Sequence, residues 1–263
     1  MNFLKINFGV YDGFMETLRI AAWSGPRNIS TAMMRSWENR PDTVVLDEPF
    51  YAHYLQTHGF NHPGRDEVLA HHETNPENVI EMLVGPCEQT LQYQKHMTHH
   101  LLPSIDRHWI SSCTNIFLIR HPREMLTSLV HQIPNPTVED TGLPQQLALF
   151  TSLSSTGEMP LVIDSKDILQ NPQTMLMHLC ATLGIPFYKE MLLWPAGKRE
   201  TDGIWARHWY ASVEASTGFA PWKLKEENLP TQLESMCLEC IDIYTQLAAH
   251  KLNPEGSEHA SNI

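Results

Sequence analysis

The chain has 263 residues, with 30 Asp and Glu against 18 Lys and Arg for a formal net charge of −12. That length fits one large α/β domain better than two complete ones, and the charge excludes a protein that grips nucleic acid or a sulfated polysaccharide through a broad basic face. The five scattered cysteines make no disulfide framework, residues 1–17 lack a leader-like apolar core, and no segment approaches a membrane-spanning run, so a cytoplasmic protein without a membrane partner is expected.

Residues 1–17 read as an N-terminal extension, 18–252 as a single α/β domain and 253–263 as a flexible C-terminal tail. The domain is organised around residues 18–40. There LRIAAWS fits a buried parallel strand, and AMMRSWENR is a helical pattern with Met33, Met34 and Trp37 on one side. Between them Gly25, Pro26, Arg27, Asn28, Ile29, Ser30 and Thr31 are too polar and turn-prone to continue either element. A strand, tight loop and helix start leave backbone N–H groups pointing, with the positive helix dipole, at whatever lies in front. Ser30 and Thr31 add hydroxyl donors and Arg27 a permanent charge. Taken alone, the stretch serves equally well as an ordinary βα turn whose Ser30 caps a helix. It lacks the second glycine and the lysine of G-x-x-x-x-G-K-(S/T), which disfavours magnesium nucleotide hydrolysis.

The next strand is TVVLD, running into Glu48. In an open parallel sheet the carboxyl ends of strands line the ligand crevice, so Glu48 is the first candidate base and His53 the second. The aromatic, His-rich residues 50–72 form either an acceptor-facing lid or a polar surface excursion. TLQYQK reads as a strand followed by a helix carrying His96, His99 and His100. That H-x-x-H-H lacks the carboxylate and third ligand of a zinc hydrolase, and no metal is expected.

Further on, NIFLIR is a buried-strand run ending in Arg120, and Pro122 opens a helix carrying Met125, Leu126, Leu129 and Val130, with Ser128 also on it. PLVIDS is a late strand; Asn171 then caps, Pro172 opens and Gly184 closes another helix. ESMCLECIDIYTQLA is an amphipathic C-terminal helix in which Cys237 and Cys240 are core thiols.

The string LIRHPREMLTSL resembles the 3′-phosphate motif of sulfotransferases that use 3′-phosphoadenosine-5′-phosphosulfate (PAPS), an R-x-P-R run followed by a serine. Arg120 and Ser128 match its two phosphate-binding positions, and Arg123 its second arginine. WSGPRNIST is similar to the 5′-phosphosulfate loop, P-(K/R)-S-G-(S/T)-(S/T): Pro26, Arg27, Ser30 and Thr31 match, while Asn28 and Ile29 stand where Ser and Gly are usual. Gly197, Lys198 and Arg199 resemble the family's late basic R-K-G loop in a different order. WSGPRNISTAMM with DEPFYAHYL is similar to a branch of uncharacterised proteins, some fused to aminotransferase-like sequences.

The resemblance covers roughly residues 18–220. It implies a P-loop-type three-layer α/β/α fold with a central, mostly parallel sheet. It further implies PAPS as sulfuryl donor, a small-molecule hydroxyl or amine as acceptor, and no metal. On that reading residues 25–31 hold the 5′-phosphosulfate, with Arg27 catalytic; Arg120 and Ser128 hold the 3′-phosphate with help from Lys198 and Arg199; and Glu48 or His53 is the base. Trp194, Trp205, Trp209 and Tyr210 either stack on the adenine, wall the acceptor pocket or pack under the last helix. A nucleotide-dependent phosphotransferase and a non-catalytic nucleotide-binding protein are the alternatives, and the oligomeric state stays open.

Overall fold

The computed structural model describes residues 10–11, 14–15, 17–60, 62–224 and 228–253. Most of the expected N-terminal extension and all of the tail after Asn253 lie outside them. A short antiparallel pair, β1 (Val10–Tyr11) and β2 (Phe14–Met15), precedes the main sheet. That sheet has five strands, β3 (Leu18–Ser24), β4 (Thr43–Asp47), β5 (Leu91–Met97), β6 (Thr114–Ile119) and β7 (Leu161–Asp164), in the order β4-β5-β3-β6-β7 with every pairing parallel. β3 is central, and the chain fills one side of it before crossing to the other. The carboxyl end of β3, between β5 and β6, is therefore the switch point where open α/β sheets leave a crevice.

Alternation along the strands assigns the two faces. Ile20 pairs with Tyr93, and Tyr93 stacks at 5.2 Å on Trp37 of α1 (Ser30–Glu38). Trp23, an odd number of positions along β3, points the other way and stacks at 4.3 Å on its cross-strand neighbour His96, with Phe50 and Trp109 completing that cluster. Both faces are thus covered by buried rings, as an all-parallel sheet requires. This is the expected three-layer α/β architecture.

The other helices are α2 (Tyr51–His58), α3 (Arg65–His71), α4 (Pro76–Val84), α5 (Pro122–Leu129), α6 (Leu143–Ser155), α7 (Ser165–Gln170), α8 (Pro172–Thr182), α9 (Ala206–Trp209), α10 (Ala211–Glu214) and α11 (Glu234–Ala248). The expected C-terminal helix coincides with α11, which packs on α5, α6 and β7 with Cys237 and Cys240 fully buried. The Asn171 side chain caps α8 by accepting from the Thr174 N–H at 3.3 Å.

One expected element is corrected. His96, His99 and His100 do not share a helix: His96 lies inside β5, and His99 and His100 sit in a single 3₁₀ turn, Thr98–His100. The strand continues because its outward and inward positions are all buried, so burial rather than periodicity governs its length. Among the described residues no group of three or more His, Cys, Asp or Glu could hold a metal, and no helix is long and apolar enough to cross a membrane.

Candidate active site

The loop after β3 is wound tightly. Arg27 (φ 60°) and Ile29 (φ 58°) are left-handed, and so is Glu48 (φ 43°) at the end of β4. Among the described residues these are the non-glycine positions with positive φ, and all three line one cavity of about 670 Å³. Such backbone costs an L residue about 1–2 kcal/mol and persists where surrounding contacts over-determine it, characteristically at functional sites. Here the determinants are visible. Asn28, buried between the two left-handed residues, donates through Nδ2 to the Leu118 carbonyl at 3.3 Å. Its own carbonyl accepts from Ser165 Oγ at 3.0 Å, which pins the loop to the ends of β6 and β7.

Gly25 is needed for a different reason. A Cβ there would stand 2.0 Å from the Thr141 carbonyl oxygen, so the glycine admits the turn before α6 rather than lining the cavity. Pro26, Ser30 and Thr31 do line it, with the first turn of α1 turned toward the same space. Backbone N–H groups at such a junction favour an anion.

Two guanidinium groups converge beside that loop. Arg120, at the end of β6, donates through Nη1 to the Arg27 carbonyl at 2.7 Å and holds Glu124 of α5 at 3.2 Å. Arg27 in turn donates through Nε to Ser128 Oγ at 2.8 Å. Burial first, and the neighbouring Arg120 charge second, push the Arg27 pKa down. A pair of like charges in a shielded crevice is relieved by an anion placed between them.

The opposite chemistry sits at the ends of β4 and β5. Asp47 and Lys95 are register neighbours, and Lys95 Nζ donates to Asp47 Oδ1 at 2.8 Å, to the Tyr210 hydroxyl at 2.7 Å and to Glu48 Oε1. Tyr210 donates onward to Asp47 at 2.8 Å, and the Gly203 N–H reaches Asp47 Oδ2 at 3.1 Å. Lys95 has no free donor left. Burial, assisted by the Asp47 charge and opposed by Lys95, holds the Glu48 carboxyl above the usual carboxylate range. Glu48 Oε2 lies 3.8 Å from His100 Nδ1, and burial keeps the His99 and His100 rings neutral, His99 down at about 4 and His100 well below its ordinary value.

The structure gathers Pro26, Arg27, Asn28, Ile29, Ser30, Thr31, Glu48 and Arg120 around the cavity, with Ser128 reached through Arg27. Four other expected residues do not line it, the first being Gly25, which packs against the Thr141 turn. His53 turns to the segment between α3 and α4, with Nδ1 2.9 Å from the Thr74 carbonyl, and does not line the cavity. Lys198 is exposed, and Arg199 folds down to Pro195 and Glu38 at the far end of α1, so neither lines it. The late residues that do line it fall between Trp205 and Ala220. Lys95, His99 and His100 were not anticipated as site residues, while Tyr210, one of the aromatics expected to stack on the adenine, wall the pocket or pack under the last helix, lines the cavity. Lys95 carried a usable signal, a charge ending a predicted buried strand, whereas Tyr210 is placed by long-range packing.

The fold and crevice define an open α/β protein with a tight, left-handed turn at the switch of its sheet. More particularly, the chain belongs to the family described as sulfotransferase domain, which matches residues 18–248. It is 36% identical over 232 residues to the branched-chain-amino-acid aminotransferase-like protein 1 of Arabidopsis thaliana, covering 88% of this chain and 42% of that protein. The corresponding protein 2 of the same plant is 33% identical, covering 88% of this chain and 41% of its own. The chain thus spans about two fifths of the length of these relatives. Among solved structures, the sulfotransferase domain of the Synechococcus PCC 7002 olefin synthase superposes with a TM-score of 0.56 at 17% identity, covering 88% of this chain and 95% of that one. The sulfotransferase domain from the curacin biosynthetic pathway gives 0.52 at 16% identity, covering 88% and 98%. Those likenesses are of fold.

Proposed function

We propose that this chain is a sulfotransferase that moves a sulfuryl group from PAPS to a hydroxyl or amine of a small-molecule acceptor. The observation that carries the reading is the Arg27–Arg120 pair, joined at 2.7 Å, opening into the same cavity as Glu48. A cavity of about 670 Å³ accommodates a nucleotide with room for a second small molecule. The mutually repelling guanidiniums beside a loop of free N–H groups suit a ligand with two separated phosphate groups.

In this scheme the 26–31 loop and the start of α1 hold the 5′-phosphosulfate, and Arg120 with Ser128 holds the 3′-phosphate. Arg27 neutralises charge on the leaving phosphate as the S–O bond to it breaks. The acceptor oxygen or nitrogen forms the new bond to sulfur and loses its proton to Glu48. A buried carboxylate with a raised pKa is a stronger base near neutrality than an exposed one. Lys95, Asp47 and Tyr210 fix its position.

Calorimetric titration with 3′,5′-adenosine bisphosphate tests the reading. Wild type is expected to bind, and Arg120→Ala to lose about 2–4 kcal/mol through removal of a charge-assisted phosphate contact. Equal affinity in the two proteins removes Arg120 from the site. Magnesium-dependent binding of ATP without binding of the bisphosphate replaces sulfuryl transfer with a phosphotransferase.

A further inference from the structure

We propose that the acceptor is a small cation, a molecule carrying a protonated amine or guanidinium, held by the aromatic and carboxylate wall that α2, the His99–His100 turn and the 205–210 segment build. This inference rests on the function proposed above and specifies its second substrate.

The wall is a continuous run of rings. Tyr54 lies 4.6 Å from His100 and 5.4 Å from His99, while Tyr51 lies 4.9 Å from His100 and 5.0 Å from Trp205, and all line the cavity. Faces of such rings attract cations. The cations among the cavity-lining residues are Arg27, Arg120 and Lys95. The first two belong to the anion loop, and the third is fully engaged by Asp47, Glu48 and Tyr210. The lining histidines are His62, His99 and His100, and burial pushes the pKa of each below its ordinary value, disfavouring a positive charge there. What remains on this side is negative: the Asp47–Glu48 pair exceeds Lys95 by one charge, and Asp140 lines the cavity close enough to act on His99 and Tyr54.

A second observation points to a ligand. His100 is only 4% exposed, yet its Nδ1 has no hydrogen-bond partner and faces Glu48 Oε2 across 3.8 Å. That is too long for a hydrogen bond, and a neutral ring makes no ion pair. A buried polar atom left in this state costs free energy that an incoming donor recovers. A cationic N–H group satisfies the imidazole nitrogen and the carboxylate oxygen together, and the surplus negative charge selects it over a neutral hydroxyl.

The test uses two molecules of the same shape, isopentylamine, protonated at neutral pH, and isopentanol, titrated into the wild-type chain with and without 3′,5′-adenosine bisphosphate. Isopentylamine is expected to bind at least about tenfold more tightly, with the preference narrowed in Asp140→Asn. Isopentanol binding as tightly as the amine, or neither molecule binding, overturns the proposal. Because bisphosphate binding is read in the same experiment, its absence alongside an intact amine preference overturns the donor assignment alone.

Discussion

Arg120 and Arg27, 93 positions apart in the chain, meet where Arg120 Nη1 donates to the Arg27 main-chain carbonyl at 2.7 Å. The residue proposed to anchor the second phosphate therefore also braces the loop proposed to hold the first.

That bracing makes the arginine irreplaceable by lysine. A lysine carries one compact charge and cannot grip Glu124 and the Arg27 carbonyl simultaneously as the guanidinium does. Arg120→Lys is expected to lose about 1–2 kcal/mol of bisphosphate affinity although the charge is kept, and Ser128→Ala, which strands Arg27 Nε, about 1 kcal/mol. Calorimetry on both variants checks this; full affinity in Arg120→Lys would mean that charge alone is read at this position.

Ile29 occupies a conformation that glycine adopts freely. Replacing it by glycine removes left-handed strain of about 1–2 kcal/mol, while adding unfolded-state freedom and losing apolar contact with the core. These nearly cancel, so Ile29→Gly is expected to unfold in urea within about 1 kcal/mol of wild type, with bisphosphate affinity retained. A loss above about 3 kcal/mol would show that the side chain's packing, not the loop's dihedral, governs this position.

The same contrast explains what was legible in the sequence. The strand, loop and helix at residues 18–38, the TVVLD and NIFLI strands and α11 were readable because each is a local pattern of burial or periodicity. Arg27, Arg120 and Glu48 came with them, since strand ends converge by topology alone. Lys198 and Arg199 were misplaced because a basic loop carries no mark of which end of α1 it will fold against; the Glu38 carboxylate, 3.5 Å from Arg199, decides that. The dependence of Gly25 on Thr141, and of Glu48 on Lys95 and Tyr210, arises between distant segments and leaves no spacing to read.

The buried histidines make stability fall in mild acid. Burial pushes His96 down to about 3, with Lys95 adding to the effect, and His99 down to about 4. The unfolded chain protonates both near 6.5, so it binds more protons than the folded one, and the stability present above 6.5 is lost as pH falls toward 4. At pH 5 each contributes a loss of about 2 kcal/mol. Glu48 works oppositely: its raised pKa favours the fold at low pH, and that contribution is lost as pH rises through the folded value. Urea unfolding at pH 7 and pH 5 should show a net acid loss that shrinks in His99→Gln, and a loss of the same size in that variant would exclude His99 as a source.

Arg35 and Asp202 tie the core to the site from below. Arg35 is 1% exposed, and its Nη2 donates to Asp202 Oδ2 at 2.7 Å, which also accepts the Arg199 N–H at 2.8 Å. The next residue, Gly203, donates to Asp47, and a Cβ on it would stand 2.1 Å from Trp205, so the turn fixed by this ion pair delivers Trp205 and Tyr210 to the cavity. Removing one partner of a buried pair leaves the other charge without compensation, at about 3–5 kcal/mol. Arg35→Met is expected to lose that much in urea unfolding, and Arg35→Met with Asp202→Asn to lose less, since a neutral amide needs no counter-charge. Equal losses in the single and double variants would mean that Arg35 acts through packing, with Asp202 held by its backbone contacts alone.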